Sequence, residues 1–315
     1  MIPIDAIRAA DERTRGKVHR TPLLSASGLG ARTGVRLSLK CESFQKTGSF
    51  KARGALNKVL SLSDEDRARG LVTVSAGNHA AAVAWAAGIA GCAAVVVMPD
   101  GAPRSKIEAV RSYGAEIVFH ADRATLFDKL NEVREARGLT FVHPFDDPTV
   151  LAGAGTAGLE IVAEKPDVQV VVVPVGGGGL LGGVASAVKQ LKPAVRVVAV
   201  ELADGPGLGP ALEAGKPIPV KRPDTLADGM TPPFVGALPL EIAREAVDEI
   251  VTVTEDEIRE GIRLLMTRAK LVVEGAGAAA TAAVLAGKSG APEGALVVAL
   301  VSGGNIDLAK LAGIG

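Results

Sequence analysis

Lys51 lies in the segment Thr47-Gly48-Ser49-Phe50-Lys51-Ala52-Arg53-Gly54-Ala55. An amine in a tight, partly apolar turn is easier to deprotonate, and a neutral amine can form a Schiff base with an aldehyde. A second group of residues points to a phosphate. Gly176, Gly177, Gly178 and Gly179 follow the apolar run Val170-Val171-Val172-Val173-Pro174-Val175. Glycines directly after a buried strand can wrap their amides around a phosphate. Pyridoxal 5′-phosphate, which carries an aldehyde and a phosphate, uses both features.

Each signal has a rival. Gly177-Gly178-Gly179-Leu180-Leu181-Gly182 matches G-x-G-x-x-G, and Glu201 stands near the end of the next apolar run, where a ribose-binding acid belongs. Read alone, this loop serves a dinucleotide in a protein that need not be an enzyme. Nicotinamide chemistry, however, has no use for a Schiff-base lysine. Ser75-Ala76-Gly77-Asn78-His79 links a strand to an alanine-rich helix. Free amides at a helix start suit a carboxylate, whereas Ser75 or Asn78 could equally do no more than cap the helix. Ser302-Gly303-Gly304-Asn305 follows a further apolar strand, and a strand-end turn accounts for it equally. His19, His120 and His143 have no partner pattern and read as structural or surface groups.

From Arg20-Thr21-Pro22-Leu23 to Ser302-Gly303-Gly304-Asn305, four ordered motifs make the chain resemble the fold-type II pyridoxal-phosphate family, which is tryptophan-synthase-β-like. Within it the resemblance is to the serine/threonine dehydratases, a group that also contains serine racemases. The resemblance implies that Lys51 is the Schiff-base lysine and then the base for the substrate Cα proton. It implies that Phe50, Asn78, Ser302 and Gly176, Gly177, Gly178 and Gly179 hold the cofactor, with Asn78 on the ring hydroxyl and Ser302 on the ring nitrogen. Ser75, Ala76, Gly77, Asn78 and His79 are implied to take the substrate carboxylate. A neutral hydroxyl on the ring nitrogen makes a weaker electron sink than a carboxylate does, which favours prompt β-elimination over transamination.

The expectation is a lyase that converts a β-hydroxy amino acid, L-threonine or L-serine, to a 2-oxo acid and ammonia. An amino-acid racemase is the alternative. Racemases of the family carry a serine where this chain has Ala76, so that position favours elimination. Ala81 and Ala154 stand where relatives have glutamine, which leaves open a bulkier β-hydroxy substrate or a repacked scaffold. Relatives also bind a divalent cation through an acid matching Glu201 and a second acid; here the second position is Gly207, so no metal is expected. The chain stops ten residues after Asn305, and an absence of end-product feedback is expected on that account.

The elements that must position these residues alternate along the chain. Strands are predicted over 35–40, 70–74, 93–99, 116–119, 170–175, 195–200 and 295–301, with helices over 78–89 and 105–113 between them. Such alternation, with near-continuous Val, Ile and Ala strands, implies mostly parallel sheets covered on both faces. The predicted fold is α/β, with two three-layer units: a large cofactor-binding one from 1–69 plus 148–315 and a small substrate-clamping one from 70–147. The family places the cofactor in the cleft between them. The 315 residues are 48% hydrophobic and carry 35 basic and 35 acidic side chains, so nucleic acid and anionic membranes are poor partners. No apolar run approaches the roughly 20 residues of a membrane helix. Cys41 and Cys92 fit no metal or disulfide framework. A cytoplasmic protein acting on a small amino acid is expected, and the resemblance implies a homodimer.

Overall fold

Runs such as 170–174 are apolar at every position, so the strands they form must be covered on both sides. The computed structural model, which describes residues 1–314, meets that demand with two sheets. In chain order the strands are β1 (Leu23–Ser25), β2 (Arg36–Cys41), β3 (Leu71–Val74), β4 (Ala94–Pro99), β5 (Glu116–His120), β6 (Thr140–Phe141), β7 (Val170–Pro174), β8 (Arg196–Leu202), β9 (Glu249–Val253) and β10 (Leu296–Val301). The larger sheet has the order β1-β2-β10-β7-β8-β9 and the smaller β5-β4-β3-β6. Every pairing is parallel except β1 with β2.

Side chains alternate across the larger sheet. Val171, Val173, Val197 and Leu300 enter one core with the helices Pro148–Glu164 and Gly179–Leu191. Val170, Val172, Val198 and Val301 enter a second core with Glu255–Leu264 and Gly275–Leu285. The smaller sheet is covered likewise, by Asn78–Ala90 on one face and Leu126–Arg137 on the other. The predicted strands and helices form with ends shifted by one or two residues. The largest change is at β8, which runs on to Leu202 and so takes Glu201 into the strand.

Three neighbouring strands place the chemistry. β2, β10 and β7 run parallel side by side, so their carboxyl ends lie along one edge. The turn that leads to Lys51 leaves β2, Ser302 leaves β10 and the 176–179 loop leaves β7. The helix Lys51–Ser61 is held against Pro148–Glu164 at very close range. A Cβ on Gly54 would come within 2.7 Å of the Val150 carbonyl, and one on Gly153 within 2.5 Å of the Arg53 carbonyl. These contacts admit only glycine.

Beneath Lys51 lies a buried charge network. Arg53 grips Glu42 (2.7 and 2.8 Å) and Glu160 (2.7 and 2.9 Å) through paired hydrogen bonds. Lys40 completes the balance on Glu160 and donates to the Thr21 carbonyl at 2.7 Å. Burial alone would raise the Glu42 carboxyl, but Arg53 holds it below its usual range. Two bases against two acids leave no buried charge uncompensated; removing one partner from such a set costs roughly 3–5 kcal/mol.

Candidate active site

Lys51 is the first residue of its helix and follows a strained turn. Thr47 has φ 60°, an uncommon value for a β-branched residue, and the turn is pinned where the Asn305 side-chain amide donates to the Thr47 carbonyl at 2.7 Å. The ammonium donates to the Pro144 carbonyl at 2.7 Å and lies 5.1 Å from the Phe50 ring centroid. Burial lowers its pKa from 10.5 to about 8. That is the depressed amine expected from the sequence, reached by desolvation, with no neighbouring cation needed.

The 176–179 loop is a cradle. Gly178 adopts φ 89° as the cap of the helix Gly179–Leu191. Added Cβ atoms would meet the Gly229 carbonyl at 2.9 Å from Gly176 and Pro239 at 2.5 Å from Gly178, and one on Gly177 would run into the Phe145 ring. Among the described residues, the amides of Gly176, Gly177, Gly178 and Gly179 donate to no protein acceptor. Four free amides at a helix start fit a phosphate.

The rival dinucleotide reading fails at Glu201. Its carboxylate accepts the amides of Gly207 (2.7 Å), Leu208 (2.5 Å) and Gly209 (3.0 Å), which commits both of its oxygens to the start of the helix Leu208–Ala214. Asp204 is paired with Lys221. Among the described residues no group of three or more His, Cys, Asp or Glu is arranged to hold a metal.

In the 75–79 turn the amides of Ala76, Asn78 and His79 are likewise without acceptors among the described residues, while Gly77 donates to Ser75 Oγ at 3.1 Å. Neither Ser75 nor Asn78 caps the helix, whose cap is Gly77. The Asn78 side chain is fixed at both ends: Nδ2 donates to Glu274 at 2.6 Å, and Oδ1 accepts from Asn305 at 2.8 Å. His79 contributes to the turn through its backbone. Its imidazole is buried, with Nε2 3.2 Å from the Val142 carbonyl and Nδ1 unpartnered. Burial and the nearby Lys51 charge hold it well below its ordinary pKa. The ring is thus turned to the protein interior, and the His79 amide is what it leaves open at the turn.

The Ser302 hydroxyl lies 3.1 Å from the Ala276 carbonyl and the Ser302 carbonyl accepts from Phe50 at 3.0 Å, which ties the β10 end to Lys51. The four motifs therefore converge, joined by residues the sequence did not single out. Pro144 and Phe145 link Lys51 to the glycine loop. Glu274 links Asn78 to Gly303, where an added Cβ would run into its carboxylate. Burial, with Asp228 adding to it, raises Glu274 from 4.5 to about 7. A lone acid inside Leu271-Val272-Val273-Glu274-Gly275-Ala276-Gly277 was the available signal. Ala154 is 1% exposed within the larger core, so its missing amide repacks scaffold. Ala81 sits three residues after Asn78, on the same helix face.

Known proteins resemble this chain in sequence and fold. The profile of the family described as "Pyridoxal-phosphate dependent enzyme" matches residues 14–303. An L-threonine ammonia-lyase of Thermotoga maritima is 46% identical over 98% of this chain and 77% of its own length. A catabolic L-threonine dehydratase of Escherichia coli strain K12 is 42% identical over 99% of this chain and 96% of its own. Among solved structures, maize serine racemase superimposes with a TM-score of 0.94 at 37% identity, covering 98% of this chain and 95% of that one. A threonine deaminase from T.th. gives 0.91 at 44% identity, covering 96% and 98%.

Proposed function

The chain belongs to the pyridoxal-phosphate dependent enzyme family, and from that premise we propose that it is an ammonia-lyase converting L-threonine or L-serine to the 2-oxo acid and ammonia. The observation that carries this is the Lys51 amine, lowered to about 8 and held on the Pro144 carbonyl beside a loop of unsatisfied amides. When bound, the cofactor withdraws electrons from the substrate Cα and so acidifies its proton.

The chain supplies the remainder. The amides of Gly176, Gly177, Gly178 and Gly179 would hold the phosphate, and Lys51 the aldehyde carbon, with Phe50 beside it. Asn78, fixed by Glu274 and Asn305, and Ser302, at the β10 end, would orient the ring. The free amides of the 75–79 turn would fix the substrate carboxylate. Once the substrate's amine has displaced it from that carbon, the free Nζ of Lys51 would take the Cα proton, a task suited to an amine whose pKa lies near working pH. Loss of the β-hydroxyl as water leaves an enamine that hydrolyses to ammonia and the 2-oxo acid, so atoms balance without an oxidant.

Residues 70–147 make the small, substrate-clamping unit in this proposal and 1–69 plus 148–315 the large one, supported by the confinement of the four-stranded sheet to 71–141. No helix among the described residues is long and apolar enough to cross a membrane. A cytoplasmic location and a homodimer complete the proposal; exposed Phe44 and Val272 offer apolar surface for a second copy.

The test is ammonia and 2-oxo acid release by the purified, cofactor-loaded protein from threonine, serine and a β-aryl-serine. Turnover of threonine or serine is expected, with the aryl substrate at least tenfold poorer in kcat/KM, because Ala154 adds no space to the site. Racemisation of serine faster than its deamination would overturn the proposal.

A further inference from the structure

The helix Arg104–Ser112 of the smaller sheet's unit carries Lys106 over the 75–79 turn. Its ammonium lies 3.3 Å from the position a Cβ would take on Gly77, in the middle of that turn. The aliphatic stem lies along the same glycine, with Cδ at 3.5 Å and Cε at 3.6 Å. Gly77 thus leaves room for a cation where any side chain would displace it. Lys106 pairs with Asp228 at 2.8 Å, on the short helix Asp228–Met230 of the other unit. Among the described residues Asp228 is the sole hydrogen-bond acceptor of this ammonium. An ammonium has three donors, so two remain unused on a side chain only 18% exposed.

The one carboxylate that Lys106 pairs with is shared. Lys310 stands 3.8 Å from Asp228, so two lysines share that carboxylate. Two further acids stand nearby: Glu274, which burial keeps partly protonated near neutral pH, and Asp307, which accepts from Ser105 beside Lys106. Asp228 is thus divided between two lysines, and Lys106 keeps donors for a further anion. The free amides of Ala76, Asn78 and His79 add a further pull on an anion.

We infer that Lys106 is a substrate-binding residue that recognises the α-carboxylate of the amino acid held by the 75–79 turn. Asp228 neutralises and aims the ammonium across the cleft until that carboxylate arrives. The inference rests on the ammonia-lyase reading and deepens it. It makes the site discriminate an amino acid from its neutral amide by charge as well as by shape. A latch between the two units is the competing account of Lys106, and it makes a different prediction, since a latch does not sense the ligand's charge.

The experiment titrates the cofactor-loaded protein with L-alanine and with L-alaninamide, neither of which has a β-leaving group, and follows the cofactor's absorbance. Lys106→Met should weaken L-alanine binding about 10- to 100-fold, the loss of one charge-assisted contact, and leave L-alaninamide within about twofold. Asp228→Asn should keep or tighten L-alanine binding, because the ammonium is released to the ligand. Equal weakening of both ligands in Lys106→Met, or loss of L-alanine binding in Asp228→Asn, would make Lys106 a latch and overturn the inference. Unchanged L-alanine binding in Lys106→Met overturns it as well. If the unaltered protein responds to neither ligand, the ammonia-lyase reading fails and the inference falls with it.

Discussion

The 176–179 loop and the 75–79 turn both offer backbone amides to an anion at a helix start, yet they are held in opposite ways. The loop is fixed by packing. Phe145, Pro239 and the Gly229 carbonyl press on it where any Cβ would go. The turn is fixed by polar side chains that reach across to the other unit: Asn78 to Glu274 and Asn305, Lys106 to Asp228. A phosphate that stays bound is served by a rigid cradle. A carboxylate that arrives and leaves with each turnover is served by a charged, openable one.

Lys51 stands between the two regions, and its loss should have the largest effect. Lys51→Ala removes both the covalent anchor and the base; turnover should fall on the order of 10⁴-fold or more, and the yellow colour of the lysine-linked cofactor should vanish. A coloured, active variant would break the mechanism for both regions at once.

Gly177→Ala tests the rigid side. Its Cβ would run into the Phe145 ring, and forced overpacking costs about 1–3 kcal/mol. Cofactor affinity should fall at least tenfold at every pH, and Phe145→Ala in the same chain should restore much of it. An affinity loss that depended on pH would show that the loop is not held by packing alone.

Glu274→Gln tests the polar side. Burial raises the Glu274 pKa to about 7, so between about 4.5 and 7 the native state holds a proton that the unfolded chain releases. Stability contributed here is present at low pH and declines as pH rises toward 7, by up to about 3 kcal/mol. The unaltered protein's melting temperature should therefore fall, relative to that of Glu274→Gln, as pH is raised from about 5 to 8. Parallel pH profiles would remove Glu274 from the titrating part of the site.

Ala76→Ser makes the smallest change. It adds a hydroxyl to the turn, and a proton donor facing Lys51 across the substrate is what racemisation requires. Interconversion of L- and D-serine, measured by chiral chromatography, should rise from a low background while deamination remains the main reaction. No rise would mean that the hydroxyl does not reach the substrate.

The sequence was most legible where chemistry demands particular residue types. The lysine turn, the glycine run after β7, the 75–79 turn and Ser302 could be read directly, because covalent catalysis and amide-lined anion sites tolerate few substitutes. Glu201 shows the limit of such reading. Its spacing suits a ribose or a cation, and only the placement of Gly207, Leu208 and Gly209 commits it to a helix start. His79 is similar: its position in the motif is right, but the helix turns its ring onto the Val142 carbonyl.

By itself, then, the sequence determined the sheets and the identity of the anchoring residues, because apolar strands must be covered and glycines must stand where backbone approaches backbone. The tertiary structure alone decided which side chains link those anchors. Pro144, Glu274, Asn305, Lys106 and Asp228 come from segments far apart in the chain, and no local pattern encodes their meeting. Only the tertiary fold brings them within hydrogen-bonding distance, and burial then shifts the pKa of Lys51, His79 and Glu274.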